Sequence, residues 1–252
     1  MSALLASIGT THPWNIAGIG LDARVATEYG LPQVCAVAAV SAQDATGVHL
    51  VESLACRVLR AQLDSFPAGV TAVRVGALGS AENVREVGRF LRAHAQIPAV
   101  VDPVFDATLG GRLGDDDVRD AFRDELLDIS SVVLTPNLDE AAVLLAPHVP
   151  ADAASSARAL RDRGSRAVLL KGGHGNGDPT DTFADASGER AYTEPRLPGS
   201  MRGGGCTLAA ALACELAQGR DLLGAVQSAR AFVRERIAAN VHFGGLHVAF
   251  GA

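Results

Sequence analysis

Six short apolar runs rich in valine and alanine, at 3–8, 34–40, 72–77, 99–104, 131–135 and 167–171, punctuate the first two thirds of the chain. Runs that stay apolar without alternating read as strands buried on both faces, because a strand with one wet face shows a polar residue at every second position. Helix-length segments separate them, at 20–29, 50–63, 81–95, 115–127, 137–145 and 151–163. Strand and helix in strict succession predict right-handed crossovers and an α/β architecture, a mostly parallel central sheet with helices on both faces. Beyond Lys171 the period changes, and 182–184 and 190–193 around Asp185-Ala-Ser-Gly188 predict a hairpin. A glycine loop, a helix to Ala217 and a last helix over 222–239 follow. No linker or charge run divides residues 1–252, which read as one domain.

The composition excludes several functions. A net charge of -6 without a basic cluster argues against a nucleic-acid surface and for a small-molecule partner. Cys35, Cys56, Cys206 and Cys214 show neither CxxC pairing nor histidine ligand spacing, so neither zinc nor a disulfide framework is expected. The N-terminal residues lack a basic and apolar leader, and no run approaches the roughly 18 apolar residues of a membrane span. A cytoplasmic protein without membrane contact is expected.

In an open parallel sheet, ligands sit outside the carboxyl ends of the strands. Four segments fall there: Asp102-Pro103, Thr135-Pro-Asn-Leu-Asp-Glu140, Lys171-Gly-Gly-His174 and Met201-Arg-Gly-Gly-Gly-Cys-Thr207. In the last, three glycines run into an alanine-rich helix, where converging N–H groups and the helix dipole favour an anion. Cys206 on that first turn is expected to have a lowered pKa. Asn137 and Glu140, three apart at a helix start, suit a hydrated Mg²⁺, and equally suit an N-cap with a capping box. Lys171 ends a buried strand near any phosphate chain, or is simply solvated. Asp102 reads as a turn residue or as a second acid near the metal, and His174 as a loop histidine. No Walker A pattern is present.

Thr135-Pro-Asn-x-x-Glu140, Lys171-Gly-Gly-His174 and Gly203-x-Gly-Cys206-Thr207, in this order, resemble the hydroxymethylpyrimidine and phosphomethylpyrimidine kinases of thiamin biosynthesis, within the ribokinase-like superfamily. Ala17-Gly-Ile19 with Asp22, Ser41-Ala-Gln-Asp44 with Thr46-Gly-Val48, Gly76-x-Leu78, Val101-Asp-Pro-Val104 and Ala231-Phe-Val233 extend the resemblance over nearly the whole chain. It implies a ribokinase-like three-layer αβα sandwich, a homodimer, and transfer of the γ-phosphoryl of ATP to hydroxymethylpyrimidine and then to its monophosphate. By the same resemblance Gly203, Gly205, Cys206 and Lys171 serve the transfer. Lys171, Asn137, Gly204 and Thr207 hold ATP, and Glu140, Asn137 and Asp102 tie Mg²⁺ to the site. Gln43, Ala17, Gly18 and Val104 take the pyrimidine; Arg202, which is not the family's residue, would, if directed inward, be a planar donor suited to its phosphate.

The chain departs from that family at Thr10-Thr-His-Pro-Trp-Asn-Ile16, where a Ser-Asp and a Ser-Gly-Gly stretch are usual. Arg202 and Gly204 replace a histidine and a threonine in the glycine loop, Ala77 stands for a methionine, and Thr108 for a lysine. An alcohol must lose a proton as it attacks, whereas a phosphate oxygen is already anionic. These changes therefore point to a kinase favouring the monophosphate. A pyridoxal kinase of the same superfamily, and a non-catalytic ligand-binding relative, stay open.

Overall fold

Alternate side chains of the central strands sort the core into two layers, one on each face of a single sheet. The computed structural model describes residues 3–108, 110–114, 116–173, 177–199 and 201–250; His174 lies outside them. Its parallel strands are β1 (Leu5–Thr10), β2 (Gln33–Asp44), β4 (Ala72–Val75), β5 (Ala99–Val101), β6 (Val132–Leu134) and β7 (Ala167–Leu170). Antiparallel strands flank them: β3 (Gly47–Ser53) beside β2, then β8 (Thr180–Asp185) and β9 (Gly188–Thr193) beyond β7. The order across the sheet is β3-β2-β1-β4-β5-β6-β7-β8-β9. Connections run outward from β1 in both directions, which leaves a crevice at the carboxyl ends of β1 and β4.

Ile8, Val75, Val101, Leu134 and Leu170 face a layer made of α2 (Cys56–Asp64), α3 (Ala81–Ala93), α4 (Asp116–Glu125), α5 (Leu138–Leu145) and α6 (Ala153–Arg161). Leu5, Ala72, Val100, Val133 and Leu169 point the other way, into α1 (Gly18–Glu28), α7 (Gly204–Ala217) and α8 (Leu222–Ala238). The result is the three-layer αβα sandwich. Helix α7 is buried on every side from Thr207 to Ala217. Its small residues let it lie close against the sheet, so its N-terminus is carried rigidly to the crevice.

Two stretches depart from expectation. Residues 50–53 belong to β3 rather than to a helix, which begins only at Cys56. The cause is local: Asp44 Oδ1 accepts the Thr46 N–H at 2.7 Å and the Thr46 hydroxyl at 2.6 Å, an Asx turn that reverses the chain into a hairpin with β2. A second hairpin, β10 (Val241–Phe243) with β11 (Leu246–Val248), was not foreseen at the C-terminal end. Phe243 meets the Trp14 ring edge-on, with centroids 5.6 Å apart, and His247 accepts the Arg202 backbone N–H at 2.7 Å. The hairpin thereby ties the N-terminal loop to the glycine loop. Among the described residues no helix is long and apolar enough to cross a membrane.

Candidate active site

Charged side chains of alternating sign lie in sequence across the carboxyl edge of the sheet. Asp102 follows β5 and is 1% exposed; its Oδ1 accepts the Thr135 hydroxyl at 3.1 Å and the Lys171 ammonium at 2.7 Å. Lys171, at the end of β7, also lies 3.7 Å from Glu140 Oε2. Beneath them Arg74, on β4, places Nη2 3.5 Å from Asp102 Oδ2 and Nε 3.4 Å from Asp22 Oδ1. The chain of contacts is Asp22, Arg74, Asp102, Lys171, Glu140: three carboxylates against two cations. Burial works against the Lys171 charge, but Asp102 and Glu140 outweigh it and hold the ammonium above its usual pKa. Burial also pushes Glu140 up to about 7, with Lys171 opposing. A cation arriving at the Glu140 end would restore its charge.

Helix α7 opens beside this cluster. Gly203 is its N-cap, in the left-handed region at φ +78°, and a Cβ there would lie 2.2 Å from the Ile16 carbonyl oxygen, so only glycine lets the two loops meet. Gly205 faces the ammonium; its Cβ would stand 3.1 Å from Lys171 Nζ. Gly18, also left-handed at φ +61°, starts α1 with no room for a Cβ against the Thr10 carbonyl. Lys171, Asp102, Glu140, Gly203, Gly204, Gly205 and Cys206 share one cavity of about 740 Å³ with Gln43, Ala17, Gly18, Val104 and Arg202. That volume suits a small substrate with part of a nucleotide. Gln43 is 9% exposed and donates from Nε2 to Ser41 Oγ at 2.7 Å, which fixes the amide at the end of β2.

Several expectations need correction. Cys206 does not have a lowered pKa: burial raises it, and Arg74 only partly opposes this, so the helix-terminus effect is overruled by desolvation. Thr207 is 0% exposed and its hydroxyl bonds back to the Gly203 carbonyl at 2.9 Å, so it is turned into the helix and away from any nucleotide. Asn137 Oδ1 accepts the Glu140 N–H at 2.8 Å, while Glu140 Oε2 accepts the Asn137 N–H at 2.7 Å. This complete capping box engages the Asn137 oxygen and one Glu140 oxygen with backbone N–H groups, and both residues still line the cavity. Asp102 has both oxygens engaged, by Lys171, Thr135 and Arg74. Among the described residues no three His, Cys, Asp or Glu side chains converge as a metal cage. Oxygens already engaged by protein partners, without such a converging cluster, fit a hydrated cation shared with phosphates rather than one enclosed by protein.

Two residues escaped the sequence reading. Arg74 sits in the apolar run of β4, and an arginine there was the only signal. His12, 2% exposed, lies in the atypical loop; the Trp14 N–H donates to its Nδ1 at 3.1 Å. Burial, and then Arg202, push His12 down to about 4, so it is neutral. Arg202 itself lines the cavity half-buried.

The family model for phosphomethylpyrimidine kinase matches residues 14–250. A hydroxymethylpyrimidine/phosphomethylpyrimidine kinase of Streptomyces coelicolor is 38% identical over 234 residues, 91% of this chain and 86% of that protein. The crystal structure of a phosphomethylpyrimidine kinase from Clostridium difficile superposes with a TM-score of 0.82 at 24% identity, covering 94% of this chain and 100% of that one, and so speaks for the fold. The pyridoxal kinase from Staphylococcus aureus in complex with AMP-PCP gives a TM-score of 0.85 at 27% identity, over 98% of this chain and 97% of that one. With nearly its whole length matched, and with a ribokinase-like sandwich around the cavity, the chain belongs to the phosphomethylpyrimidine kinase family.

Proposed function

We propose that the protein transfers the γ-phosphoryl of ATP to 4-amino-5-hydroxymethyl-2-methylpyrimidine phosphate, giving the diphosphate for thiamin biosynthesis, and that it uses the free alcohol poorly. The observation that carries this reading is the convergence of Lys171, Glu140 and the Gly203–Gly205 turn on one end of a cavity whose wall also holds Gln43. Phosphoryl transfer asks for positioning and charge neutralisation, and these groups supply both. The Gln43 amide suits the donor and acceptor edge of an aminopyrimidine, and Ala17, Gly18 and Val104 suit its faces. N–H groups at the start of α7 receive the transferring phosphoryl, with the Lys171 ammonium set against its oxygens by Asp102. Arg74 supports Asp102 from beneath. A Mg²⁺ held through Glu140 and the nucleotide phosphates would neutralise charge on those phosphates. Cys206, as a neutral thiol, positions rather than deprotonates.

The reading includes a cytoplasmic, single-domain enzyme acting as a homodimer, which sedimentation would test. Steady-state assays with ATP and Mg²⁺ on both pyrimidines decide the substrate: efficient turnover of the free alcohol would overturn the restriction to the monophosphate. Pyridoxal is the second reading, favoured by the similarity to the Staphylococcus aureus kinase. Pyridoxal in the same assay separates the two, and ATP consumption that depends on an added acceptor would exclude a non-catalytic relative.

A further inference from the structure

His12 Nε2 and Arg202 Nη1 are buried nitrogens on the wall of the same cavity, and neither has a hydrogen-bond partner among the described residues. A buried donor left unpaired is costly, and where it faces a ligand cavity the ligand is the group that pairs it. The tautomer of His12 follows from geometry: Nδ1 accepts the backbone N–H of Trp14, so the proton of a neutral ring sits on Nε2, an unpaired donor on a residue that lines the cavity. The wall therefore presents one cationic fork and one neutral donor, with no acceptor between them named by either side chain. That combination suits an oxyanion, which only accepts.

Both donors are held by one frame. Trp14, whose N–H orients His12, packs edge-on against Phe243 of β10, and a Cβ on Gly244 would lie 2.7 Å from the Trp14 ring. Arg202 is tied by its own N–H to His247 of β11. The C-terminal hairpin thus sets the two donors before any ligand arrives, which lowers the ordering cost of binding. Arg202 immediately precedes the Gly203 cap, so an oxyanion held there is adjacent to the turn that serves the transferring phosphoryl.

We propose that His12 and Arg202 form a subsite for the phosphate already carried by the acceptor substrate, and that this pair gives the chain its preference for a phosphorylated acceptor. The inference rests on the pyrimidine kinase reading above. Its test is calorimetric binding of hydroxymethylpyrimidine phosphate and of free hydroxymethylpyrimidine to nucleotide-free protein, for the wild type and for His12→Phe, His12→Gln and Arg202→Met. Gln places an N–H near the position of His Nε2, whereas Phe keeps the ring and loses the donor. His12→Phe and Arg202→Met should each weaken the monophosphate about 10- to 100-fold, the worth of one or two charge-assisted hydrogen bonds, and the free alcohol by less than about 3-fold. His12→Gln should stay within about 3-fold of wild type for both ligands. Should His12→Phe fail to fold by circular dichroism, Arg202→Met with His12→Gln carries the same contrast. Equal losses for the two ligands, or an unchanged monophosphate affinity, overturn the subsite while leaving the kinase reading intact. A wild type that binds neither pyrimidine overturns both.

Discussion

Three consecutive glycines give three different expected outcomes on substitution by alanine, because a methyl group meets a different neighbour at each. At Gly203 the backbone is left-handed and the added Cβ falls 2.2 Å from the Ile16 carbonyl oxygen. The conformation alone costs about 1–2 kcal/mol, and the backbone contact forces the 10–16 loop away, so Gly203→Ala should lower the melting temperature by about 4 °C or more. At Gly204 the nearest atom is Met201 Cε at 3.8 Å, ordinary contact, so the variant keeps its N–H and gains helix propensity. Gly204→Ala should melt at or slightly above the wild type and retain kcat/KM within about 2-fold. At Gly205 the helix gains similarly, but the methyl stands 3.1 Å from Lys171 Nζ and competes with the 2.7 Å contact to Asp102. Displacing that ammonium by a fraction of an ångström should lower kcat/KM by about 10- to 100-fold with no loss of stability. Thermal melts by circular dichroism, paired with a coupled assay of ADP release, read both quantities. The reasoning is refuted if Gly205→Ala melts as low as Gly203→Ala, or if it keeps wild-type turnover.

Lys171→Met removes the cation between two buried carboxylates and should destabilise the fold by about 3–5 kcal/mol while abolishing turnover; urea unfolding and the ADP assay check it. Cys206, with its thiol pKa raised by burial, should resist iodoacetamide at pH 8 in native protein while exposed Cys35 is labelled; early mass-spectrometric labelling of Cys206 would show a thiolate instead. His12 titrates near 4 in the folded chain against about 6.5 unfolded, so the unfolded state takes the proton first as pH falls. Stability due to His12 is complete above pH 6.5 and is lost between 6.5 and 4, by up to about 3 kcal/mol, and His12→Gln should flatten that slope in pH-dependent urea unfolding.

The sheet was legible because β1, β4, β5, β6 and β7 are buried on both faces, so that β5, β6 and β7 are apolar at every residue and β1 and β4 nearly so. The 50–63 segment misled because Leu50 and Val51 stand four and three positions before Leu54, a helical spacing, while the decisive Asx turn at Asp44 lies outside that window. The C-terminal hairpin gave little pattern: its strands span three residues each, and Val241 is 43% exposed. Lys171, Asp102 and Glu140 could be read as site residues because each stands at the end of a strand or the start of a helix. What they do to one another could not, since Lys171 meets Asp102 across 69 positions of sequence. The Cys206 error has the same root. A helix dipole is local and visible in the sequence, whereas burial exists only once α1, α7 and the sheet have closed around the thiol.

The proposed preference for a phosphorylated acceptor would rest on two independent physical effects that act on different kinetic constants. The first is the lack of a free base. Around the glycine loop Cys206 is held as a thiol by burial, Asp102 has both oxygens bonded, and Glu140 accepts its own cap and faces Lys171. An alcohol attacking there has no anion poised to take its proton, so the deficit falls on the chemical step and hence on kcat. A phosphate oxygen needs none. The second effect is the pair of open donors at His12 and Arg202, which acts on binding whether or not transfer occurs and hence on KM. Removing the donors should therefore erode the preference through KM while the kcat for the free alcohol stays low. If the donor variants instead raised kcat on the alcohol, the missing base would not be what limits it.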